Sequence, residues 1–263
     1  MTEGKSFTIQ LAEKKICVKP LYAMIREYCK EYIVKEPYAD TKCVGDYEKE
    51  IPKVDFTVQI SLEDIAYERI RSDREAALTG QEAAVYSDAY LETLAVYRKI
   101  AEWMPKEDIL LFHGSVIAVD GKAYLFTAKS GTGKSTHTRL WQEYFGDRAI
   151  MVNDDKPLIK ITKNGVYAYG TPWDGKHRLS NNIHAPLAGL CILKRAEDNV
   201  IRSITPHEAY PMLMQQCYRP REKEALVTTM KLLDELKEQV SFYELFCNIS
   251  KEAVEVAYHK MKG

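Results

Sequence analysis

The alternation of apolar and polar positions predicts a chain of mixed strands and helices. Over the first hundred residues, apolar side chains alternate at 7–11 and at 16–18, which predicts a hairpin with Lys14 and Lys15 near its turn. Further elements are predicted in the same region: a helix at 20–33, a strand at 55–60, a helix beginning at Ser61 with a capping-box pattern, and a helix at 87–103. A polar stretch at 72–81 is expected to be mobile.

The strongest turn signal in the chain is Asp120-Gly121, which separates apolar runs at 109–119 and 122–127. A two-residue type I′ turn requires positive φ at both positions, and Asp-Gly tolerates this. Such a turn pairs residues whose numbers sum to 241, so His113 is predicted to lie opposite Ala128. A single histidine is commonly a packing residue, but this register makes His113 a candidate site residue.

The second half of the chain continues with apolar runs that predict more strands and helices. Strands are predicted at 149–152, 158–161, 166–169, 186–194 and 241–246, and helices at 134–144, 205–218, 222–240 and 251–261. Asn164-Gly165 also favours a type I′ turn, which pairs residues whose numbers sum to 329. Extended past two prolines, that register sets Asp155 opposite Asp174.

Composition and charge narrow the class of protein. With 263 residues the chain can bury a full core, and its net charge of −1 gives no general electrostatic reason to bind nucleic acid or an acidic membrane. There is no run of about 20 apolar residues and no secretory signal pattern, so a cytoplasmic protein is expected. The cysteines are scattered and are expected to be reduced, structural thiols: Cys17, Cys29, Cys43, Cys191, Cys217 and Cys247.

The segment AKSGTGKS, residues 128–135, lies between a predicted strand and a predicted helix. It fits the P-loop pattern G-x-x-x-x-G-K-[ST] except that Ala128 replaces the first glycine. Glycines let backbone N–H groups converge on phosphate, and the helix N-terminus adds positive charge. Lys134 would reach the β- and γ-phosphates, and the Ser135 hydroxyl would ligate Mg²⁺. The predicted nucleotide-binding residues are Ser130, Gly131, Thr132, Gly133, Lys134, Ser135 and Thr136.

Two adjacent carboxylates, Asp154 and Asp155, follow the next predicted strand. Aspartates at this place downstream of a P-loop commonly hold magnesium. Two of them allow Asp155 to hold the metal while Asp154 accepts a hydroxyl proton, and the two roles could be reversed. The alternative is a solvated turn, because Asp-Asp before Lys-Pro also favours a turn.

Cationic side chains in the segment 170–178 are candidates for contacts to the transferred phosphoryl group or to an anionic acceptor. The predicted second hairpin brings this segment toward the two aspartates. Of Lys176, His177 and Arg178, we select Arg178 as the catalytic candidate. The alternative is that these side chains are solvated loop residues.

The segment from about 111 to 195 resembles the catalytic core of the HPr kinase/phosphorylase family, which shares a nucleotide-binding fold with phosphoenolpyruvate carboxykinases. The resemblance is carried by His113-Gly114, by SGTGKS and by the strand ending in Asp154-Asp155. It is greatest to stand-alone HPr-kinase-like proteins, on GTPW-D-G-x-x-R and the strand PLAGLCILKR. The resemblance implies that Lys134 and Ser135 bind nucleotide and magnesium. It further implies that Asp154 is the general base for a serine hydroxyl and that His113 lies near the transferred phosphate.

The chain also departs from that family. The signature motif that follows the catalytic core is absent, so HPr is not the expected substrate. Residues 1–105 do not resemble the regulatory domain of the bifunctional enzyme, and the chain is too short for a carboxykinase.

Together these features predict an α/β protein with a mixed, largely antiparallel central sheet that holds a P-loop at one end. Residues 1–105 form an N-terminal α/β segment with a possible role in substrate recognition, and residues 106–263 form a P-loop kinase core with C-terminal helices. The expected function is a Mg²⁺- and nucleotide-dependent kinase that phosphorylates a hydroxyl of a small molecule, such as an amino acid, or of a peptide. The alternative is a nucleotide-sensing binding protein with little turnover. The sequence leaves open whether the donor is ATP, GTP, ADP or pyrophosphate, and whether the chain forms a homo-oligomer.

Overall fold

The computed structural model describes residues 4–34, 53–80, 82, 84–175 and 178–263. It divides into two compact units, Met1–Ile100 and Ala101–Gly263. Lys176, His177 and Cys43, which the sequence analysis discusses, lie outside the described residues. The five described cysteines are free thiols.

The first unit contains a small mixed sheet and helices. Its elements are β1 (Phe7–Leu11), β2 (Lys14–Lys19), α1 (Met24–Tyr28), β3 (Phe56–Gln59), α2 (Leu62–Thr79) and α3 (Asp88–Trp103), the last of which continues into the second unit. β1 and β2 form the predicted hairpin, with positive φ at Ala12 and Glu13 in its turn, and β3 pairs parallel to β2.

Two predictions in this unit are wrong in extent. The helix predicted at 20–33 shortens to α1 and a 3₁₀ turn, Lys30–Tyr32, because the backbone N–H groups of Leu21 and Tyr22 donate instead to the Glu92 carboxylate, at 2.6 and 3.1 Å.

The polar stretch predicted as mobile is helical over 72–79. α2 starts at the predicted Ser61–Asp64 capping box and runs to a left-handed C-cap at Gly80.

The second unit is built on one mixed sheet. Its elements are β4 (Ile109–Leu111), β5 (Ser115–Val119), β6 (Lys122–Thr127), α4 (Lys134–Phe145), β7 (Ala149–Asn153), β8 (Leu158–Thr162), β9 (Gly165–Tyr169), β10 (His184–Arg195), β11 (Val200–Ile204), α5 (Pro206–Gln216), α6 (Lys223–Gln239), β12 (Phe242–Cys247) and α7 (Lys251–Met261). The strand order is β4-β8-β9-β10-β6-β5-β7, with β12 also paired to β10 and β11 paired to β12. β10 runs parallel to β6 and β12, and the other pairs are antiparallel. The mixed α/β prediction is confirmed.

The first predicted register is confirmed, but its first strand is broken. Ser115 pairs with Phe126 across the Asp120-Gly121 turn, as predicted. The run 109–119 forms two strands instead of one, because the backbone at 112–114 leaves the β5–β6 ladder. There the N–H of His113 donates to the Gln216 carbonyl at 2.8 Å, and the N–H of Gly114 donates to the Asp155 carbonyl at 3.1 Å.

The second predicted register is wrong by two residues. Leu158 pairs with Tyr169, and the turn residues are Lys163-Asn164 instead of Asn164-Gly165. The Thr162 hydroxyl explains the shift, since it accepts the Asn164 N–H at 3.1 Å and donates to the Gly165 carbonyl at 2.8 Å.

Helices cover both faces of this sheet. On β6, Tyr124 and Phe126 pack with Trp141 of α4 and with α7, whereas Leu125 joins the cluster that contains α5 and α6. β6 is therefore buried on both faces, and α4 is the next element along the chain after it. None of the described helices is both apolar enough and long enough for a membrane crossing.

Candidate functional site

The loop that joins β6 to α4, residues 128–133, places a helix N-terminus at the end of a buried strand. Gly131 and Gly133 take left-handed backbone conformations, with φ of 76° and 118°. The N–H and hydroxyl of Thr132 both donate to the Lys129 carbonyl, at 3.2 and 2.8 Å. Gly133 is the N-cap and offers no side chain to the first N–H groups of α4. These N–H groups and the helix dipole therefore favour an anion at this point.

The predicted nucleotide-binding residues surround this helix start. Ser130, Gly131 and Ser135 are exposed, and Thr132, Gly133, Lys134 and Thr136 are half-buried. The ammonium group of Lys134 lies 3.5 Å from the Ala128 carbonyl. Burial is the largest influence on its pKa and lowers it. The charges of Asp155 and Asp154 act in the opposite direction, and the net shift is downward. The charges of both downstream aspartates therefore influence the pKa of Lys134.

Arg195, at the end of β10, also contacts the loop that joins β6 to α4. Its guanidinium donates to the carbonyls of Gly131 and of Thr132, the latter at 3.0 Å. These contacts connect the end of β10 to the glycine loop. Sequence reasoning gave Arg195 no role, because residues 63 apart in the chain form this contact.

Asp154 is 5% exposed and belongs to a chain of hydroxyl groups that reaches α4. Its Oδ1 accepts the Ser115 hydroxyl at 2.6 Å, and the Ser115 and Thr138 hydroxyls lie 2.9 Å apart. The Thr138 hydroxyl is in turn 3.3 Å from the carbonyls of Lys134 and Ser135. The carboxylate is thereby tied to the first turn of the helix that begins at the glycine loop. The sequence analysis did not identify Ser115 or Thr138.

Asp155 lies in a cationic environment. Its Oδ1 is 3.3 Å from His113 Nε2 and 3.2 Å from Lys156 Nζ. Burial raises the pKa of this carboxyl, but the His113 hydrogen bond and the Lys156 charge outweigh that influence, and the pKa is lowered overall. Asp155 is therefore ionised at neutral pH.

The structure brings His113 to this site by a different route from the predicted one. The β5–β6 ladder ends at Ser115–Phe126, so His113 has no paired position opposite Ala128. Its carbonyl accepts the Thr127 hydroxyl at 3.0 Å, and its ring reaches Asp155.

The segment after β9 also reaches the aspartates, but not through Asp174. The register that set Asp155 opposite Asp174 is wrong. The Asp174 side chain is 6% exposed; it accepts the Ser180 N–H at 3.0 Å and lies 3.8 Å from Arg178 Nε. The residue adjacent to Asp154 is Gly175. Arg178 is half-exposed and pairs with Asp174, so its described ion pair is within its own loop.

A cavity of about 430 Å³ lies beside the glycine loop. Its walls come from the loop, from α4, and from the ends of β10 and β12, and they include Thr132, Thr136, His137, Leu193, Arg195 and Cys247. His137 Nε2 accepts the Trp141 indole N–H at 3.0 Å, and burial lowers the pKa of His137 to about 4. The cavity wall therefore carries a neutral imidazole.

The donor set suits a magnesium ion that is shared with phosphate. Among the described residues, no group of three or more His, Cys, Asp or Glu side chains could hold a metal by itself. Mg²⁺ commonly binds through one or two protein oxygens, with water and phosphate completing its shell. Within the described chain, both partners of Asp155 contact Oδ1, so its ionised carboxylate keeps Oδ2 for a cation. The exposed Ser135 hydroxyl is the second candidate ligand.

No family model matches the chain, and no curated protein is similar to it. Among solved structures, the HPr(Ser) kinase/phosphatase from Coxiella burnetii aligns with 58% of this chain and with 99% of its own, at 12% sequence identity and a TM-score of 0.33. Similarity of this degree assigns neither a family nor a function, so the site is interpreted from its own residues.

Proposed function

We propose that this protein is a Mg²⁺- and nucleotide-dependent kinase that transfers a phosphoryl group to a hydroxyl. One observation supports the proposal above all others. Through the Ser115 and Thr138 hydroxyls, the Asp154 carboxylate is linked to the Lys134 and Ser135 carbonyls in the first turn of α4, the helix that begins at the glycine loop. This arrangement supports a site in which N–H groups and Lys134 would bind phosphate, one carboxylate would bind the metal and the other would act as base, as phosphoryl transfer requires.

The cavity favours a nucleotide over pyrophosphate as the donor. With the phosphates at the N–H groups of α4, the rest of the donor would extend toward the cavity that Thr132 and Thr136 line. Its volume of about 430 Å³ falls in the range of small-molecule pockets, whereas pyrophosphate would leave it unfilled. We assign the P-loop role to residues 128–135 and take ATP as the expected donor.

The two carboxylates divide the work by their surroundings. Asp155, ionised and adjacent to His113 and Lys156, would hold Mg²⁺ together with Ser135. Magnesium would neutralise charge on the phosphates when bound. Asp154, whose Oδ1 is taken by Ser115, would accept the acceptor's hydroxyl proton.

Cationic groups would stabilise the charge that develops on the transferred group. Lys134 is in place at the start of α4. Arg178 would have to exchange Asp174 for the phosphoryl group when substrates bind, and His113 would orient Asp155 at the same end of the site.

The residues of this site are those on which the resemblance of the sequence to the HPr kinase family rests. We therefore propose the chain as a distant, stand-alone relative of those kinases, with a small molecule or a peptide as acceptor instead of HPr.

A phosphate-transfer screen tests the function. The purified chain with Mg²⁺ and γ-labelled ATP is presented with L-serine, glycerol, D-glucose and a serine-containing peptide, and Asp154→Asn serves as the blank. The Asn side chain still accepts the Ser115 hydroxyl, so this variant should bind nucleotide normally while turnover falls by at least about 100-fold, the usual scale for a general base. Near-normal turnover in Asp154→Asn would refute the base assignment. Tight MgATP binding with no transfer to any acceptor would favour a nucleotide sensor instead.

A further inference from the structure

We propose that residues 170–175 form one wall of the acceptor site, with Gly175 leaving the space beside Asp154 Oδ2 open for the acceptor's hydroxyl. Asn153 is the positioning residue that holds this wall in place. The inference rests on the proposed kinase function and identifies where its hydroxyl substrate binds.

Asn153 is the last residue of β7 and is fully buried. Its Oδ1 accepts the backbone N–H groups of Asp155 and Lys156, at 2.9 and 2.6 Å. One side-chain oxygen therefore fixes the backbone turn that presents both aspartates.

The amide nitrogen of the same side chain contacts two residues that follow β9, Thr171 and Ser180. Asn153 Nδ2 donates to the Thr171 carbonyl at 3.1 Å, to the Thr171 hydroxyl at 3.0 Å and to the Ser180 hydroxyl at 3.1 Å. The Thr171 hydroxyl donates in turn to the Lys156 carbonyl at 2.8 Å. A buried amide with all its polar atoms engaged has one stable orientation, so the aspartates are fixed relative to Thr171 and Ser180.

The wall 170–175 brings Gly175 against Asp154. A methyl group built on Gly175 would lie 3.5 Å from Asp154 Oδ2 and 3.6 Å from the Asp154 carbonyl. Oδ1 of the same carboxylate is occupied by Ser115, so Oδ2 is the oxygen left to accept a proton. The space that a side chain at position 175 would fill is therefore the space through which a hydroxyl approaches this oxygen.

The phosphoryl transfer proposed at this wall balances in its atoms and bonds. The acceptor's O–H gives its proton to Asp154 Oδ2, and its oxygen forms a bond to the γ-phosphorus of ATP. The bond between that phosphorus and the β,γ-bridging oxygen breaks, so the products are a phosphate monoester and ADP. Asp154 then returns the proton to water.

Gly175→Ala tests the open space with little risk to the fold. The contacts of the added methyl are ordinary van der Waals distances, and Gly175 lies outside the left-handed region that only glycine favours. Transfer of label from γ-labelled ATP to L-serine, glycerol, D-glucose and a serine-containing peptide is measured beside ATP hydrolysis and the Kd of MgATP. Water is smaller than any of these acceptors, so hydrolysis should fall less than transfer does, and the difference shows whether the effect depends on acceptor size.

For Gly175→Ala we expect transfer to the acceptor used by the wild type to fall by at least about 10-fold, with MgATP affinity changed by less than about 2-fold, because misplacement of a reacting atom by about 1 Å is enough for such a loss. Equal transfer by Gly175→Ala and wild type would overturn the acceptor wall while leaving the kinase in place. A parallel loss of nucleotide binding and hydrolysis would also overturn it. Absence of transfer by the wild type would overturn the kinase itself, and this inference with it.

Asn153→Ala tests the positioning role, with Asn164→Ala on the exposed β8–β9 turn as the matched control. Loss of the amide should lower kcat for transfer by about 10-fold or more and leave the Kd of MgATP within about 2-fold, because the glycine loop does not depend on it. A change that appeared only in thermal stability, with kcat and the acceptor KM unaltered, would assign Asn153 a purely structural role and overturn this part of the inference.

Discussion

Lys134 combines a cationic group with a position at the start of a helix. Its ammonium group lies 3.5 Å from the Ala128 carbonyl, where it would contact phosphates bound at the α4 N-terminus. For Lys134→Ala we expect the Kd of MgATP, measured by calorimetry, to rise by about 10- to 100-fold, the loss of one charge-assisted contact.

The control for that change lies in the same loop. Lys129 is exposed and contributes its carbonyl, not its side chain, to the described contacts of the loop. Lys129→Ala removes the same amount of charge from the region without removing a described side-chain contact of the loop. Its MgATP affinity should therefore stay near the wild-type value. Unchanged affinity in Lys134→Ala, or an equal loss in both variants, would exclude a specific phosphate contact by Lys134.

Protonation of a single residue, His137, makes the stability of the protein depend on pH. Burial lowers its pKa from 6.5 to about 4, and its Nε2 must stay unprotonated to accept the Trp141 N–H. The unfolded chain therefore binds this proton at a higher pH than the folded chain does. The contribution of His137 to stability is full above pH 6.5 and is lost as pH falls from 6.5 to about 4.

We expect His137 to account for a loss of about 3 kcal/mol in the free energy of unfolding across that pH range. Urea denaturation at a series of pH values measures it. His137→Gln should lose this part of the pH slope, whereas His207→Gln, at an exposed position on α5, should keep it. The same slope in both variants would mean that another group titrates.

Among the helices, α5 offers the clearest test of a local stabilising motif. The Glu208 carboxylate accepts the Thr205 N–H at 2.8 Å, and this bond, followed by the Thr205 hydroxyl and Arg202, lowers its pKa to about 2. Since the folded pKa is depressed, its stabilising effect is present above the ordinary value of 4.5 and is lost as pH falls from there to about 2. Glu208→Gln should lower the urea midpoint at pH 7, and its difference from wild type should shrink below pH 4.5.

Glu235→Gln is the control, because Glu235 is exposed in the interior of α6 and forms no cap. Its urea midpoint should follow the wild type at every pH. A difference in Glu208→Gln that stayed constant with pH would show that the carboxylate charge does not contribute to the cap.

The capping box of α5 also shows which elements the sequence could predict. Thr205 and Glu208 are three residues apart, and Asp120-Gly121 fixes the β5–β6 register by itself, so both features were identified from local chemistry. The Thr162 hydroxyl, by contrast, moved the β8–β9 turn by one residue, since two adjacent turns were each compatible with the sequence around it.

The candidate site was predictable only in part, for the same reason. Lys134, Asp154 and Asp155 stand in recognisable local patterns. Ser115 contacts Asp154 across 39 residues, and Asn153 contacts Ser180 across 27, so no periodicity or spacing indicates either contact. Such partners depend on how the fold brings β5, β7 and Ser180 together.

For the whole molecule, nucleotide binding should appear as a change in stability. The net charge of −1 provides no general attraction for a polyanion, so binding must come from the local cations and N–H groups at the glycine loop. A ligand that binds only the folded state stabilises it by about 2.7 kcal/mol at 100 times its Kd. The three tryptophans, Trp103, Trp141 and Trp173, all lie in the unit Ala101–Gly263, so their fluorescence reports the unfolding of the unit that contains the site.

We therefore expect saturating MgATP to raise the melting temperature followed by tryptophan fluorescence by about 5–10 °C, the shift that this free energy gives in a unit of this size. Magnesium pyrophosphate at the same concentration should give a smaller shift, because it contacts the loop without filling the cavity that Thr136 and Leu193 line. With its Kd raised by about 10- to 100-fold, Lys134→Ala at the same MgATP concentration should keep about one half to one sixth of the wild-type shift. An equal shift with pyrophosphate and ATP would show that the cavity is not part of the donor site. An equal shift in wild type and Lys134→Ala would show that the nucleotide binds elsewhere on the molecule.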